Sequence, residues 1–248
     1  MVLLKKIKIE LFLFCLIASS IFISYDIDIY FQKFFERITY SPVISTSSIY
    51  GNIYLEKFFI NITELGNAMW YFGLVVFVII ILLLTKNLKV IDKKYHFKFF
   101  NLFCSIFIYL ISIGVVTQII KRFIGRPRPN HTDFENGIGF EFLATKAEFH
   151  SFPSGHTSTI FMVCFVLGML MPKIKYFLVF FASLVALSRV VSNAHFITDV
   201  FGGMLLALII FKSLNVFFEN KYNKYSLDKF NFLKKSIILN FLVLLFVF

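Results

Sequence analysis

Long apolar runs constrain this chain more strongly than any other feature of its sequence. The stretch "FFNLFCSIFIYLISIGVVTQII", residues 99–120, contains no charged residue. A helix of about 20 such residues is long enough to cross the hydrocarbon core of a bilayer. Across the whole chain, 58% of the 248 residues are hydrophobic and 36 are Phe. We therefore expect an integral membrane protein built from helices.

Six apolar segments have the composition of membrane spans. They predict an all-α, polytopic bundle of six transmembrane helices, with one integral-membrane domain over residues 1–248 because the loops leave no room for a separate globular unit. The predicted spans are residues 7–25, 68–85, 99–120, 157–171, 176–191 and 196–217. The C-terminal "SIILNFLVLLFVF" is short for a span, and we expect it to lie at the interface or to insert in part.

The first span has a second interpretation, because a basic "KKIK" precedes it as in a secretory signal. Its apolar stretch is long, however, and no clear small-x-small cleavage site follows it. We therefore expect an uncleaved membrane anchor.

Lysine and arginine indicate which ends of the spans face the cytoplasm, because positively charged loops are retained there. The loop "KNLKVIDKKYHFK" has five lysines against one Asp, and the tail "KYNKYSLDKFNFLKK" also has five lysines. Both termini are therefore predicted to be cytoplasmic, in the inner membrane of a bacterium. The pI of about 9.5 follows from this distribution. No basic patch interleaved with aromatic residues indicates a nucleic-acid partner.

One basic segment violates this pattern, since "KRFIGRPRPN", residues 121–130, lies at the predicted periplasmic edge. The segments "HSFPSGHTST" and "LSRVVSNAHFITDVFGG" lie at the same edge. Together they bring three cations, Lys121, Arg128 and Arg189, close to two histidines and one aspartate. Ionisable residues near the membrane interior are costly and by default indicate function. Three cations without matching acids require an anion.

The residue types around these cations suit a phosphate. Ser154 stands where it can cap the fourth span, and free N–H groups of that first turn, including the one of Gly155, can point at an oxyanion. Arg128 and Arg189 supply fork-shaped donors for phosphate oxygens, and Lys121 adds a point charge.

The acidic and imidazole groups add reactivity to this predicted anion site. His195 and Asp199 are four residues apart, which on a helix places the carboxylate where it can orient the imidazole. His156 supplies a second imidazole at the start of another helix. One histidine could attack phosphorus while the other protonates the leaving oxygen. Taken alone, either histidine would more often be structural.

The three segments resemble the signature of the type 2 phosphatidic acid phosphatase superfamily. All three motifs are intact and in order: Lys121 with Arg128-Pro129, Pro153 to His156, and Ser188-Arg189 with His195 and Asp199. The resemblance implies a helical core in which His195 forms a phosphohistidine, Asp199 holds it, and His156 acts as general acid. It also implies that the phosphoryl oxygens bind Lys121, Arg128, Ser154, Gly155 and Arg189.

The motif spacing leaves out Arg122 and Arg126. Lysine and arginine at a helix end commonly extend their charged groups to the membrane interface, so both are predicted to be interface anchors. The same interpretation holds for Lys121 or Arg128 taken alone. Prolines on both sides of Arg128 are expected to stop the third span and to stiffen the turn that aims this side chain.

These features predict a membrane-embedded lipid phosphate phosphatase without a cofactor. The motifs contain no cluster of carboxylates for Mg²⁺ or Zn²⁺, so the expected hydrolysis is metal-independent. The stretch "ITELGNAMWYFG", residues 62–73, resembles a segment of bacterial lipid A phosphatases and favours lipid A as the phosphorylated partner. Undecaprenyl diphosphate and phosphatidylglycerol phosphate remain alternative substrates. A lipid phosphotransferase with the same site and a transporter or channel remain alternative functions.

Overall fold

A computed structural model describes residues 2–23, 26–39, 57–86, 93–132 and 139–222. Within these ranges the regular structure is entirely helical, which confirms the all-α part of the prediction. The helices are α1 (Val2–Ile23), α2 (Asp26–Thr39), α3 (residues 57–63), α4 (Ala68–Thr85), α5 (Lys93–Ile124), α6 (Gly155–Leu170), α7 (Lys175–Val191) and α8 (Ile197–Tyr222). The predicted interfacial segment at the C-terminus lies outside the described residues.

Among the described residues, four segments are long and apolar enough to cross a membrane, so the chain is a multi-pass membrane protein. They are Ala68–Thr85, Tyr95–His131, Pro172–Val191 and Ile197–Phe218. Two of the six predicted spans differ from expectation. The axes of α1 and α2 are bent by 82°, so this pair is a fifth span only if its halves are counted together. The other is α6, which has only 16 residues.

The break between α1 and α2 has a local cause in the sequence. Asp26 and Asp28 stand in the first turn of α2, where carboxylates stabilise the positive end of the helix dipole. The predicted first span, residues 7–25, therefore ends where these acids begin a new helix. Glu10 on α1 also forms an ion pair with Lys212, which ties α1 to α8.

The short helix α6 lies at the centre of the bundle. It packs against α4, α5, α7 and α8, and half of its residues are buried while the others are partly buried. The outer helices turn large apolar groups outward, such as Trp70 and Phe77 on α4 and Phe180 on α7. In a bilayer these groups face lipid, while α6 is shielded from it.

Four helix ends meet at one end of the bundle: the C-termini of α5 and α7 and the N-termini of α6 and α8. The N–H of Ser154 donates to the Asp199 carbonyl at 2.9 Å, which joins the starts of α6 and α8. The N–H of His195 donates to the Arg189 carbonyl at 3.1 Å, which closes the turn from α7 to α8. The first bond joins the second sequence motif to the third, and the second bond closes the third motif on itself.

Candidate active site

The three predicted phosphate-binding cations lie together where the helix ends meet, close enough for their charges to interact. Lys121 is buried, and its Nζ donates to the His150 carbonyl at 2.5 Å. Arg128 is half-buried, and its Nε donates to the Ala147 carbonyl at 3.2 Å. In the described part of the chain, none of the three cations pairs with a carboxylate. Their positive charge is therefore left for an anion.

Arg189 links these cations to a part of the chain before α4. Its Nη1 donates to the Thr63 hydroxyl at 2.8 Å. Its Nε is buried and has no hydrogen-bond partner among the described residues. Burying such a donor without an acceptor costs free energy, so an anion at this position would stabilise it.

The start of α6 lies directly beside the Lys121 side chain. A Cβ added to Gly155 would stand 3.6 Å from Lys121 Cε, so this lysine lies next to a helix start whose first N–H groups have no intrahelical partner. Ser154 occupies the N-cap position, but its hydroxyl accepts no backbone N–H. The predicted side-chain cap is wrong, because the Thr157 hydroxyl donates to Ser154 Oγ at 3.0 Å and takes the place of the helix N–H groups.

His195 and Asp199 face each other at the start of α8, with Nδ1 of the imidazole 3.6 Å from Oδ2 of the carboxylate. Ser151 lies between them, since its hydroxyl donates to Asp199 Oδ2 at 2.5 Å and lies 3.4 Å from His195 Nδ1. Because Nδ1 faces the carboxylate, the Nε2 lone pair is the one available for reaction. Burial lowers the pKa of His195 to about 3, although the Asp199 contact opposes the shift, so the imidazole is neutral at physiological pH.

His156 lies on the first turn of α6 and is half-buried. The short turn Glu64–Gly66 packs against it, since a Cβ on Gly66 would stand only 2.7 Å from His156 Cβ. Only glycine fits this approach without displacing the histidine. The stretch before α4 therefore forms one wall of the site, through His156 on one side and Arg189 on the other.

Arg126 contradicts its predicted role as an interface anchor, because its side chain is fully buried. Nη1 donates to Asp199 Oδ1 at 2.5 Å and to the Thr198 hydroxyl at 2.8 Å. Nη2 donates to Asp28 Oδ2 at 2.7 Å. The guanidinium thus pairs with two buried carboxylates directly behind the His195–Asp199 pair. Arg122, in contrast, is exposed.

The turn at Gly125 explains why Arg126 points inward. Its N–H donates to the Lys121 carbonyl and its carbonyl accepts the N–H of Glu141, while its φ of +60° ends α5. An added Cβ would stand 1.6 Å from the Glu141 carbonyl oxygen. The chain therefore leaves the helical path one residue before Arg126, so helical spacing cannot predict the direction of this side chain.

A protein-family model matches the part of the chain that contains the three motifs. The model of the PAP2 superfamily matches residues 102–223. This range contains all three motifs and the helices α6, α7 and α8 in full. The chain contains a PAP2 superfamily domain.

Part of this chain is also similar in sequence to individual curated proteins. The lipid A 1-phosphatase of Rhizobium johnstonii is 28% identical over 121 residues, which are 46% of this chain and 50% of that protein. Lipid phosphate phosphatase 2 of Arabidopsis thaliana is 35% identical over 130 residues, or 41% of this chain and 45% of that protein. The chain thus spans about half the length of the curated relatives it matches.

A solved structure shows the same fold over most of the chain. The transmembrane PAP2-type phosphatidylglycerolphosphate phosphatase of Bacillus subtilis superposes with a TM-score of 0.58 at 19% sequence identity. The superposition covers 87% of this chain and 96% of that protein. The likeness therefore includes helices outside the PAP2 domain.

Sequence reasoning missed four residues that contact the predicted site: Asp28, Thr63, Arg126 and Ser151. Two of them, Asp28 and Thr63, precede the PAP2 domain and belong to no motif. A signal for Asp28 was present, since it is an acid just after the first apolar run, at the same membrane edge as the cations. Among the described residues, no group of three or more His, Cys, Asp or Glu side chains is arranged to hold a metal ion.

Proposed function

We propose that this protein is a lipid phosphate phosphatase that hydrolyses a phosphate ester or diphosphate of an envelope lipid, with lipid A favoured. The observation that carries the proposal is the geometry around His195. A neutral, carboxylate-backed imidazole lies at the same end of the bundle as three cations that have no acidic partner among the described residues. A nucleophile beside an anion-binding group is the arrangement that phosphoryl transfer requires.

The cations would hold the phosphoryl group and stabilise its transition state. Lys121, Arg128 and Arg189 would bind its oxygens together with the backbone at Ser154 and Gly155. Preorganised donors of this kind neutralise developing charge without reorganisation. In this proposal the protein's own cations do the work that a metal ion does in other phosphatases, so hydrolysis is metal-independent.

The reaction would proceed through two displacements at phosphorus. His195 Nε2 forms a bond to phosphorus as the bond to the lipid oxygen breaks. His156 enters this step as imidazolium and gives its proton to that leaving oxygen, so the negative charge of the bound phosphate has to offset the burial and the Arg189 charge that lower the pKa of His156 to about 4. Asp199 stabilises the positive charge of the resulting phosphohistidine. His156 then takes a proton from water, whose oxygen attacks phosphorus and releases phosphate and neutral His195.

An apolar cavity supports a lipid as the substrate class. It has a volume of about 410 Å³ and lies between α4, α5 and α6, with lining residues that include Leu74, Ile106 and Val163. At the helical rise of 1.5 Å per residue, its lining on α6 begins about 10 Å from His156. A lipid whose phosphate binds at the helix ends would place its hydrocarbon chain against this apolar lining.

The preference for lipid A and the orientation are also parts of the proposal. Two relatives of the PAP2 domain are named lipid A 1-phosphatases, at 28% identity each. The lysine-rich loops and tails support cytoplasmic termini. The site would then face the periplasm at the outer edge of the inner membrane.

The test is an assay of the purified full chain in lipid nanodiscs against lipid A, undecaprenyl diphosphate, phosphatidylglycerol phosphate and phosphatidic acid. Phosphate released from lipid A, absent in His195→Ala and resistant to EDTA, supports the proposal. A phosphorylated acceptor in place of free phosphate would make the protein a phosphotransferase. If the chain processes none of the four lipids, the proposal is wrong.

A further inference from the structure

The buried ion network behind His195 extends further than the proposed chemistry requires. It reaches α2, a helix that precedes the PAP2 domain, through the carboxylate of Asp28. The geometry points to Asp28 as a positioning residue for the nucleophile. Acting through Arg126 and the first turn of α8, it keeps the Asp199 carboxylate oriented and negatively charged toward His195. This inference rests on the proposed function, since it assigns the network to the reaction of His195.

Asp28 makes three contacts with the groups that carry Asp199. Its Oδ2 accepts from Arg126 Nη2 at 2.7 Å and from the Thr198 hydroxyl at 2.6 Å. Its Oδ1 accepts the backbone N–H of Thr198 at 3.0 Å. The residue that follows Thr198 is Asp199. One side chain from α2 therefore fixes both the guanidinium that binds Asp199 and the helix turn from which Asp199 extends.

The two oxygens of Asp199 are divided between Arg126 and His195. Oδ1 accepts from the Arg126 guanidinium, while Oδ2 faces His195 and accepts from Ser151 and from the N–H of Phe196. Rotation of this carboxylate is thus blocked on both sides. Because Asp28 holds the other nitrogen of the guanidinium, Arg126 cannot turn toward His195 and displace this arrangement.

Charge balance gives Asp28 a second effect on the nucleophile. Arg126 carries one positive charge and is shared by two carboxylates, so the three groups together keep one negative charge. Without the charge of Asp28, Arg126 would neutralise Asp199 completely. The cation formed on His195 would then lose its uncompensated counter-charge in a buried site, where such interactions are strong.

A purely structural ion pair would behave differently. Buried ion pairs contribute little net stability, yet loss of one partner destabilises the fold. A structural role therefore predicts less folded protein with unchanged catalytic constants. A positioning role predicts a folded enzyme with a lower kcat and an unchanged KM, because the cations that bind phosphate lie elsewhere.

The experiment compares Asp28→Asn with Asp26→Asn in the purified full chain, using whichever lipid of the panel the wild type hydrolyses. Asp26 lies on the same helix turn but is exposed. We expect kcat of Asp28→Asn to fall on the order of 10- to 100-fold, the range found when residues that orient the ligands of a metal site are replaced, with KM within about twofold. Asp26→Asn should match the wild type in both constants. Asp28→Asn should lower kcat of the folded fraction less in an Arg126→Gln background than in the wild type, because much of the effect of Asp28 passes through Arg126.

Several outcomes overturn the inference. A folded Asp28→Asn with wild-type kcat overturns it, as does a loss of kcat from Asp28→Asn that is as large in the Arg126→Gln background as in the wild type. If Asp28→Asn does not fold, Thr198→Val is measured in its place. This variant removes the two hydrogen bonds of the Thr198 hydroxyl, to Arg126 and to Asp28, and keeps both carboxylates. A kcat lowered at least about threefold then supports the inference, and an unchanged kcat refutes it. A wild type inactive on every lipid removes the proposed function as well, which distinguishes the two failures.

Discussion

Replacing Arg126 with Met distinguishes the buried ion network from an interface anchor. Arg126 is fully buried and pairs with Asp28 and Asp199, which are 1% and 0% exposed. Loss of one partner of a buried ion pair costs about 3–5 kcal/mol. This guanidinium serves two carboxylates that stay behind, so we expect the upper end of that range or more, on the order of 5 kcal/mol. Total stabilities of folded domains are about 5–15 kcal/mol, so the variant should be close to unfolding.

The assay is thermal unfolding of purified variants in the same detergent, followed by far-UV circular dichroism and by monodispersity on size exclusion. At about 2–4 °C per kcal/mol for a chain of this size, Tm should fall by roughly 10 °C or more. Arg122→Met is the matched control, because Arg122 is exposed four residues earlier and should leave Tm nearly unchanged. Equal Tm values for the two variants would refute the network and restore the interface-anchor interpretation.

Three further changes test other parts of the site. Gly125→Ala should lower both Tm and activity, because the φ of Gly125 is +60° and an added Cβ would stand 1.6 Å from the Glu141 carbonyl oxygen. Gly139→Ala is the control and should change neither, because an added Cβ there would have no atom within 4 Å. Asp199→Asn should fold, because the buried guanidinium keeps its other carboxylate, yet lose on the order of 10³–10⁴ in kcat; full activity would contradict the role of the carboxylate. Lys121→Met should raise KM for the lipid and weaken inhibition by inorganic phosphate, and unchanged values for both would remove this lysine from the anion site.

Motif residues could be placed from sequence because each stands at the end of an apolar helix. Helices that cross a membrane between short loops bring their ends to common depths, so Lys121, His156, Arg189 and Asp199 had to lie near one edge. His195 also lies against Asp199 as predicted, but helical spacing is not the reason, because His195 precedes α8 by two residues. The common depth of the motif residues needed only helix length.

Arg126 and Asp28 needed information that helix periodicity does not contain. The direction of Arg126 is set by the positive φ of Gly125 and by a bond to the distant Glu141 backbone. Asp28 lies 98 residues before Arg126 and 170 before Thr198, so no local pattern connects them. Contacts this far apart in sequence follow from tertiary packing, which a single sequence does not specify.

At Ser154 and at the α1–α2 break, the structure differs from the expectation for a third reason, which is the effect of neighbouring polar groups. A serine at an N-cap position ordinarily accepts a helix N–H, but Thr157 three residues later offers its own hydroxyl. Asp26 and Asp28 likewise begin a second helix directly after the predicted first span, with an axis bent by 82° from that of α1. In both cases a polar side chain close in sequence changed the local structure that the pattern predicted.

The central claim is that His195 becomes phosphorylated during lipid hydrolysis. The most direct measurement is a rapid alkaline quench of the full chain during turnover of a phosphorylated lipid, followed by peptide mass spectrometry. The account predicts a peptide that carries one additional phosphoryl group on His195 in the wild type and none in His195→Ala, which should also release no phosphate. A phosphoryl group on another residue, or phosphate release by a folded His195→Ala at the wild-type rate, would contradict it.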